Sequence, residues 1–202
     1  MKHKVSNIWY AYFSSDKYCA LPNFYESKNH DWAQLIEGSY EELRTEVYSI
    51  IDGSGFSPRS YFIEELSGAM GWKTYSFKTW GIRVKKALKS ARLLRDLLDK
   101  YPQIVSVSIN ILDAKSTIKP HYGDSNTFYR CHLGIEIPDS LPACGFKVND
   151  EHASWEEGKL LMFCDGNKHE AWNNTKKRRV ILLFDVIKDE YINKKFTICI
   201  NV

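Results

Sequence analysis

The segment HYGDSNTFYRCH, residues 121–132, holds two histidines and an arginine, and KHEAWN at 168–173 brings another histidine. His121 ends one β-rich run and His169 begins another. Neutral imidazole suits Fe(II), Zn(II) and similar ions, and the mouth of a jelly roll brings distant strand ends together. The commonest non-haem iron arrangement adds a carboxylate two residues after its first histidine, but that position here is Gly123. Asp124 is the competing ligand, although strand alternation turns it away from the side of Gly123. Arg130 and His132 are two apart on one strand and therefore share a face. If that face is interior, the cation needs an anion. With Arg179, which opens the longest apolar run, they fit a dicarboxylate held by guanidinium forks. Each residue also has an ordinary reading: a hydrogen-bonded strand-end histidine, a solvated strand-start arginine, a polar sheet face.

The elements that must carry these residues change character along the chain. Trp32, Leu35, Ile36, Tyr40, Leu43, Val47 and Ile51 recur at three-to-four spacing, predicting a helix over 31–51 with a weak point at Gly38. Ala87, Ala91, Leu94, Leu97 and Leu98 predict a second helix from about Val84 to Tyr101, stopped by Pro102. From Ile104 the period becomes two. VSVSINIL, TIKPHY, YRCHLGIEI, GFKV, KLLMFC, HEAWN, RRVILLFDVI and FTICI are short β-rich runs separated by Asp, Asn, Gly, Ser and Pro. The fold class is α+β, a jelly roll preceded by and packed against N-terminal helices. One domain is expected over 1–202, with 1–102 mainly helical support and a possible substrate-cleft region, and 103–202 the β core.

The 202 residues are 44% hydrophobic, enough for a sizeable core, and the net charge of +3 comes without a basic block interleaved with aromatics, so nucleic acid is not an expected partner. The basic run 176–179 reads as a solvated turn. Five cysteines at 19, 131, 144, 164 and 199 form no CxxC pair and read as reduced, buried small residues. No run approaches the roughly 18 apolar residues of a membrane span. The expectation is a soluble, cytoplasmic protein with no membrane partner. Trp9, Tyr10, Tyr12 and Phe13 could line a cleft, though core or lid packing is the commoner use of such residues.

The strings PHYGDSNTFYRCHLGIEIP at 120–138, WEEGKLLMFCDGNKHEAWN at 155–173 and RRVILLFDV at 178–186 resemble the aspartyl/asparaginyl β-hydroxylase family of Fe(II)- and 2-oxoglutarate-dependent oxygenases. The shared pattern is H-x-G, N, R-x-H-L, a proline, W-x-E-G-K, F-x-D, H-E-x-x-N and R-V in that order. GWKTYSF at 71–77 resembles the family's upstream segment, so the resemblance covers about 71–190. It implies a double-stranded β-helix, cupin-like in shape, with iron held by His121 and His169 and water where other oxygenases place a carboxylate. Gly123 matches that arrangement. Arg130 and His132 match contacts to 2-oxoglutarate, and Arg179 matches the partner of its distal carboxylate. Asn110 stands where a family member has serine as a further contact. Asp165 resembles an acid that orients His169 or the metal-bound water, with turn capping as the other reading. Trp155 and Gly158 read as turn and packing residues, and Cys164 as packed.

The implied cofactors are Fe(II), 2-oxoglutarate and O2. The implied reaction is β-hydroxylation of an aspartate-like or other amino-acid unit, free, carrier-bound or in a peptide, with release of succinate and CO2. A non-catalytic 2-oxoglutarate sensor, a lipid-directed oxygenase and a desaturase are the alternatives within this resemblance. A zinc hydrolase fits less well, since catalytic zinc normally has three protein ligands.

Overall fold

The computed structural model of the chain describes residues 2–5, 8–11, 21–60 and 71–192. In chain order these form β1 (Lys2–Val5), β2 (Ile8–Ala11), β3 (Phe24–Tyr25), α1 (Asp31–Gly38), α2 (Tyr40–Ile51), β4 (Arg59–Ser60), β5 (Trp72–Thr79) and β6 (Ile82–Arg83). Then follow α3 (Lys85–Leu88), α4 (Arg92–Lys100), β7 (Ile104–Leu112), β8 (Ser116–His121), β9 (Phe128–Glu136), β10 (Cys144–Val148), β11 (Glu151–Ala153), β12 (Leu160–Phe163), β13 (His169–Asn173) and β14 (Arg179–Ile187).

Both predicted helices are interrupted, for different reasons. The stripe over 31–51 breaks at Gly38, where helix propensity is low. The Ser39 amide closes α1 on Leu35 O, and the Ser39 carbonyl accepts the Leu43 amide to start α2, each at 3.0 Å. The stripe over 84–101 divides into α3 and α4 because α2 supplies a new cap. Glu46 accepts the Leu93 amide at 2.7 Å and the Leu94 amide at 3.0 Å, placing a carboxylate on the exposed N–H groups of the first turn. All five residues named for the second stripe are nonetheless buried.

The strands form a large sheet in the order β3-β12-β9-β14-β7-β5-β4, with β6 on β5, and a small sheet in the order β11-β10-β13-β8. Period-two alternation assigns the two faces of the large sheet. Val180, Leu182, Phe184 and Val186 of β14, with Val107, Ile109 and Ile111 of β7, pack against Leu43, Val47, Leu94 and Leu98 of the helices. The alternate residues Leu112 and Ile181 pack with Ile118, Phe146 and Ala171 of the small sheet. Full burial of such side chains contributes roughly 1.5–3 kcal/mol each. Two sheets face to face with helices on the outer side of one is a double-stranded β-helix with N-terminal support. Outside the predicted strands fall β1 to β6 and β11; β5 carries only a weak apolar alternation, and the others are two to four residues long. The predicted strand FTICI, Cys19, Cys199, Tyr12, Phe13 and the side chains of Trp9 and Tyr10 lie outside the described residues. Cys131, Cys144 and Cys164 are buried free thiols.

Candidate active site

β8 and β13 pair antiparallel with His121 opposite His169, so the register itself sets the two imidazoles side by side, ring centroids 4.2 Å apart. Their Nδ1 atoms sit 2.8 Å from the carbonyls of Lys119 and Asn167. A carbonyl only accepts, so each neutral ring carries its proton on Nδ1 and keeps the Nε2 lone pair. Burial lowers the pKa of both, and for His169 the neighbouring His121 lowers it further. The pair is therefore neutral near pH 7, the state a metal requires. No third His, Cys, Asp or Glu completes a metal-binding group among the described residues.

Gly123 shows why no acid stands at that position. An added Cβ would lie 2.0 Å from Cγ of Asp165, so the Asp165 carboxylate already fills the space a side chain would need. The Gly123 amide donates to the Asp165 carbonyl and the Asp124 amide to Asp165 Oδ2, both at 2.8 Å. Asp165 is fully buried, with Oδ1 3.8 Å from His169 Nε2 and within 2.5 Å of Arg130 Nη1. Burial pushes its carboxyl above the ordinary range, Arg130 opposes this, and Asp124 and Asp185 add to it. Asp124 interacts with Arg130 and Asp185 and makes no metal group with the histidines among the described residues.

Arg130 and His132 share the inner face of β9 and both line a small cavity, with room of about 40 Å³ for the centres of water-sized spheres, together with His121, His169, Asn110 and Arg179. The six sequence-selected residues therefore surround one space. Their hydrogen bonds differ from the expectation. Arg130 uses Nε and Nη2 on Asp185, at 2.8 and 3.1 Å, and Nη1 on Asp165, so protein carboxylates already engage the guanidinium expected to hold a ligand. Asn110 is likewise engaged at both ends. Its Oδ1 accepts Trp72 Nε1–H at 3.1 Å, and its Nδ2 donates to Ser108 Oγ at 2.8 Å.

Arg179 is the opposite case. It is 2% exposed, Nε has no partner, and no carboxylate pairs with it among the described residues. Its guanidinium lies 4.5 Å from the Trp155 ring centroid, and burial pulls its pKa down to about 10. Trp155 also donates Nε1–H to His132 Nδ1 at 3.3 Å. That bond makes Nδ1 the acceptor and leaves the His132 proton on Nε2, the tautomer opposite to that of His121 and His169. Trp155, read as packing in the sequence, thus supports both Arg179 and His132. Asp185 was missed outright. Its signal was present: 179, 181, 183 and 185 share a strand face, so the aspartate in an apolar strand lies on the face that carries Arg179, where it meets Arg130. Trp72, 6.3 Å from His121 between ring centroids, also lines the cavity.

Residues 37–189 match the model of the aspartyl/asparaginyl beta-hydroxylase family. The chain belongs to that family. It is 29% identical over 178 residues to an ornithine lipid ester-linked acyl 2-hydroxylase of Rhizobium tropici, covering 85% of this chain and 63% of that protein. It is 29% identical over 158 residues to the aspartyl/asparaginyl beta-hydroxylase of Homo sapiens, covering 75% of this chain and 20% of that one. The chain thus spans less than two thirds of the length of either relative. Among solved structures, a Pseudomonas putida prolyl-4-hydroxylase superposes with a TM-score of 0.45 at 12% identity, covering 77% of this chain and 87% of that one.

Proposed function

We propose that the protein is an Fe(II)- and 2-oxoglutarate-dependent hydroxylase. The observation that carries this reading is a single cavity that joins two neutral imidazoles with free Nε2 atoms to a buried guanidinium lacking an anion. His121 and His169 hold the metal, their orientation fixed by the Lys119 and Asn167 carbonyls. Arg179 pairs with the distal carboxylate of 2-oxoglutarate, which supplies the negative charge its site lacks and an acceptor for the unpartnered Nε. His132 presents Nε2–H as a neutral donor to the same ligand. Arg130 positions Asp165 beside His169 and holds Asp185, instead of contacting the cosubstrate. Asn110 reaches 2-oxoglutarate only by releasing Ser108. Phe146, Phe163, Ile181 and Leu183 line the cavity and exclude water from it. When bound, iron with O2 and 2-oxoglutarate supplies the oxidising power for C–H hydroxylation, and succinate and CO2 are the co-products.

The substrate we propose is an aspartate-like or other amino-acid unit, free, carrier-bound or in a peptide. A lipid acyl chain is the second reading, supported by the similarity that spans 85% of this chain to a lipid acyl hydroxylase. The test is substrate-dependent succinate release, screened over amino acids, carrier-bound amino acids, peptides and lipid dispersions. Release with one class assigns the substrate. Folded protein that binds Fe(II) and 2-oxoglutarate but releases no succinate with any class would instead be a sensor.

A further inference from the structure

β5 and β6 are joined by Trp80 and Gly81, whose φ angles are +45° and +86°. Two successive positive φ values mark a type I′ hairpin turn, whose first position favours Asn, Asp or Gly. A tryptophan there is strained, and strain of this kind clusters at functional sites. Five large apolar side chains are exposed among the described residues, and three of them are Trp80 at 40%, Ile82 at 61% and Val84 at 38%. Arg83, Lys85, Lys86 and Lys89 are interspersed with them or follow directly, all exposed. Arg83 pairs with Asp99 at 2.6 Å, whereas the three lysines have no acidic partner among the described residues.

We propose that this hairpin tip and the start of α3 dock the protein on an anionic phospholipid surface. Tryptophan and short aliphatic side chains settle at the headgroup boundary, and lysines on long stems reach the anionic headgroups around them. Nucleic acid would satisfy the lysines but leave the apolar tip without a partner. The location also suits an enzyme that works at a surface. The Trp80 amide donates to Ser106 Oγ, Ser106 pairs in register with Asp185, and Asp185 pairs with Arg130. The tip therefore lies on the same row of the large sheet as Arg130, three strand spacings or about 14 Å away. The docking does not depend on the hydroxylase reading, because it involves neither metal nor cosubstrate. The sequence expectation of no membrane partner arose because the apolar residues alternate with basic ones instead of forming a run.

The experiment is sedimentation of the metal-free full chain with phosphatidylcholine vesicles and with phosphatidylcholine–phosphatidylglycerol vesicles. Binding is expected to the mixed vesicles only, and added salt reverses it. Trp80→Asn suits the turn better, so its thermal midpoint stays the same or rises while binding falls by roughly tenfold. Lys85→Gln/Lys86→Gln weakens binding by roughly 25-fold, about fivefold for each charge. The proposal is overturned by equal binding to both vesicle types, by no binding to either, or by binding unchanged in both variants. It is equally overturned if Trp80→Asn alters only self-association of the protein, which would make the patch a contact between copies.

Discussion

Replacing Arg179 with methionine separates a residue placed for a ligand from one placed for the fold. The guanidinium is 2% exposed, has an unpartnered Nε and is pulled down to about 10 by burial. At pH 7 it is charged in both the folded and unfolded chain, so that displacement counts against folding by roughly 3 kcal/mol. The contact with Trp155 at 4.5 Å returns roughly 1–2 kcal/mol. Methionine fills much of the same volume without the charge, so the metal-free variant should be more stable by about 1–2 kcal/mol. For a chain of this size the midpoint should rise by about 2–8 °C. Binding should move the other way. Losing one partner of a buried charge pair costs about 2–5 kcal/mol, so the Kd for 2-oxoglutarate should rise at least ~30-fold. Calorimetric unfolding of the metal-free protein gives the first quantity, and titration calorimetry of 2-oxoglutarate with Mn(II) in place of iron gives the second. A variant that loses several kcal/mol of stability yet keeps its affinity would refute the reasoning.

Gly123→Ala should destabilise the protein by about 3–5 kcal/mol, because its Cβ must push Asp165 off Arg130 and off the Asp124 amide. In Gly123→Ala/Asp165→Ala the obstructing carboxylate is gone, so urea unfolding of the double variant should match Asp165→Ala alone. Additive effects would contradict the steric account. His132 titrates well below 6.5, held down first by burial and then by Arg179 and Arg130. The unfolded chain takes up this proton below about pH 6.5 and the folded chain does not. Its contribution to stability is therefore complete above that pH and is lost as pH falls, at up to about 1.4 kcal/mol per pH unit. His132→Asn should flatten the stability–pH slope by that amount between about pH 5 and 6.5, and an unchanged slope would place the proton elsewhere.

The strands around the site were legible as segments because alternation is a local signal, whereas their order in the two sheets was not. Seven of the eight predicted β-runs correspond to strands of the two sheets, and the eighth lies outside the described residues. Residue type and parity singled out His121, His169, Arg130, His132 and Arg179, the family resemblance gave them their roles and added Asn110, and all six line one cavity. Which of them is free for a ligand was not legible. Arg130 and Arg179 look alike in sequence, and only the fold reveals that Asp165 and Asp185 converge on the first, whereas among the described residues the second has the Trp155 ring but no carboxylate. The helix break at 89–91 was hidden for a similar reason, since Glu46 caps α4 from another helix. Trp155 gave no local sign of its two roles, because Arg179 and His132 reach it from different strands.

Anaerobic addition of Fe(II) and then 2-oxoglutarate to the folded protein, followed by visible absorption, reports whether the two histidines and the buried guanidinium form one metal–cosubstrate site. A charge-transfer band should appear with both additions, be lost in His121→Ala, and in Arg179→Met require much higher 2-oxoglutarate. Folded, iron-loaded protein that shows no band at any 2-oxoglutarate concentration would contradict the assignment.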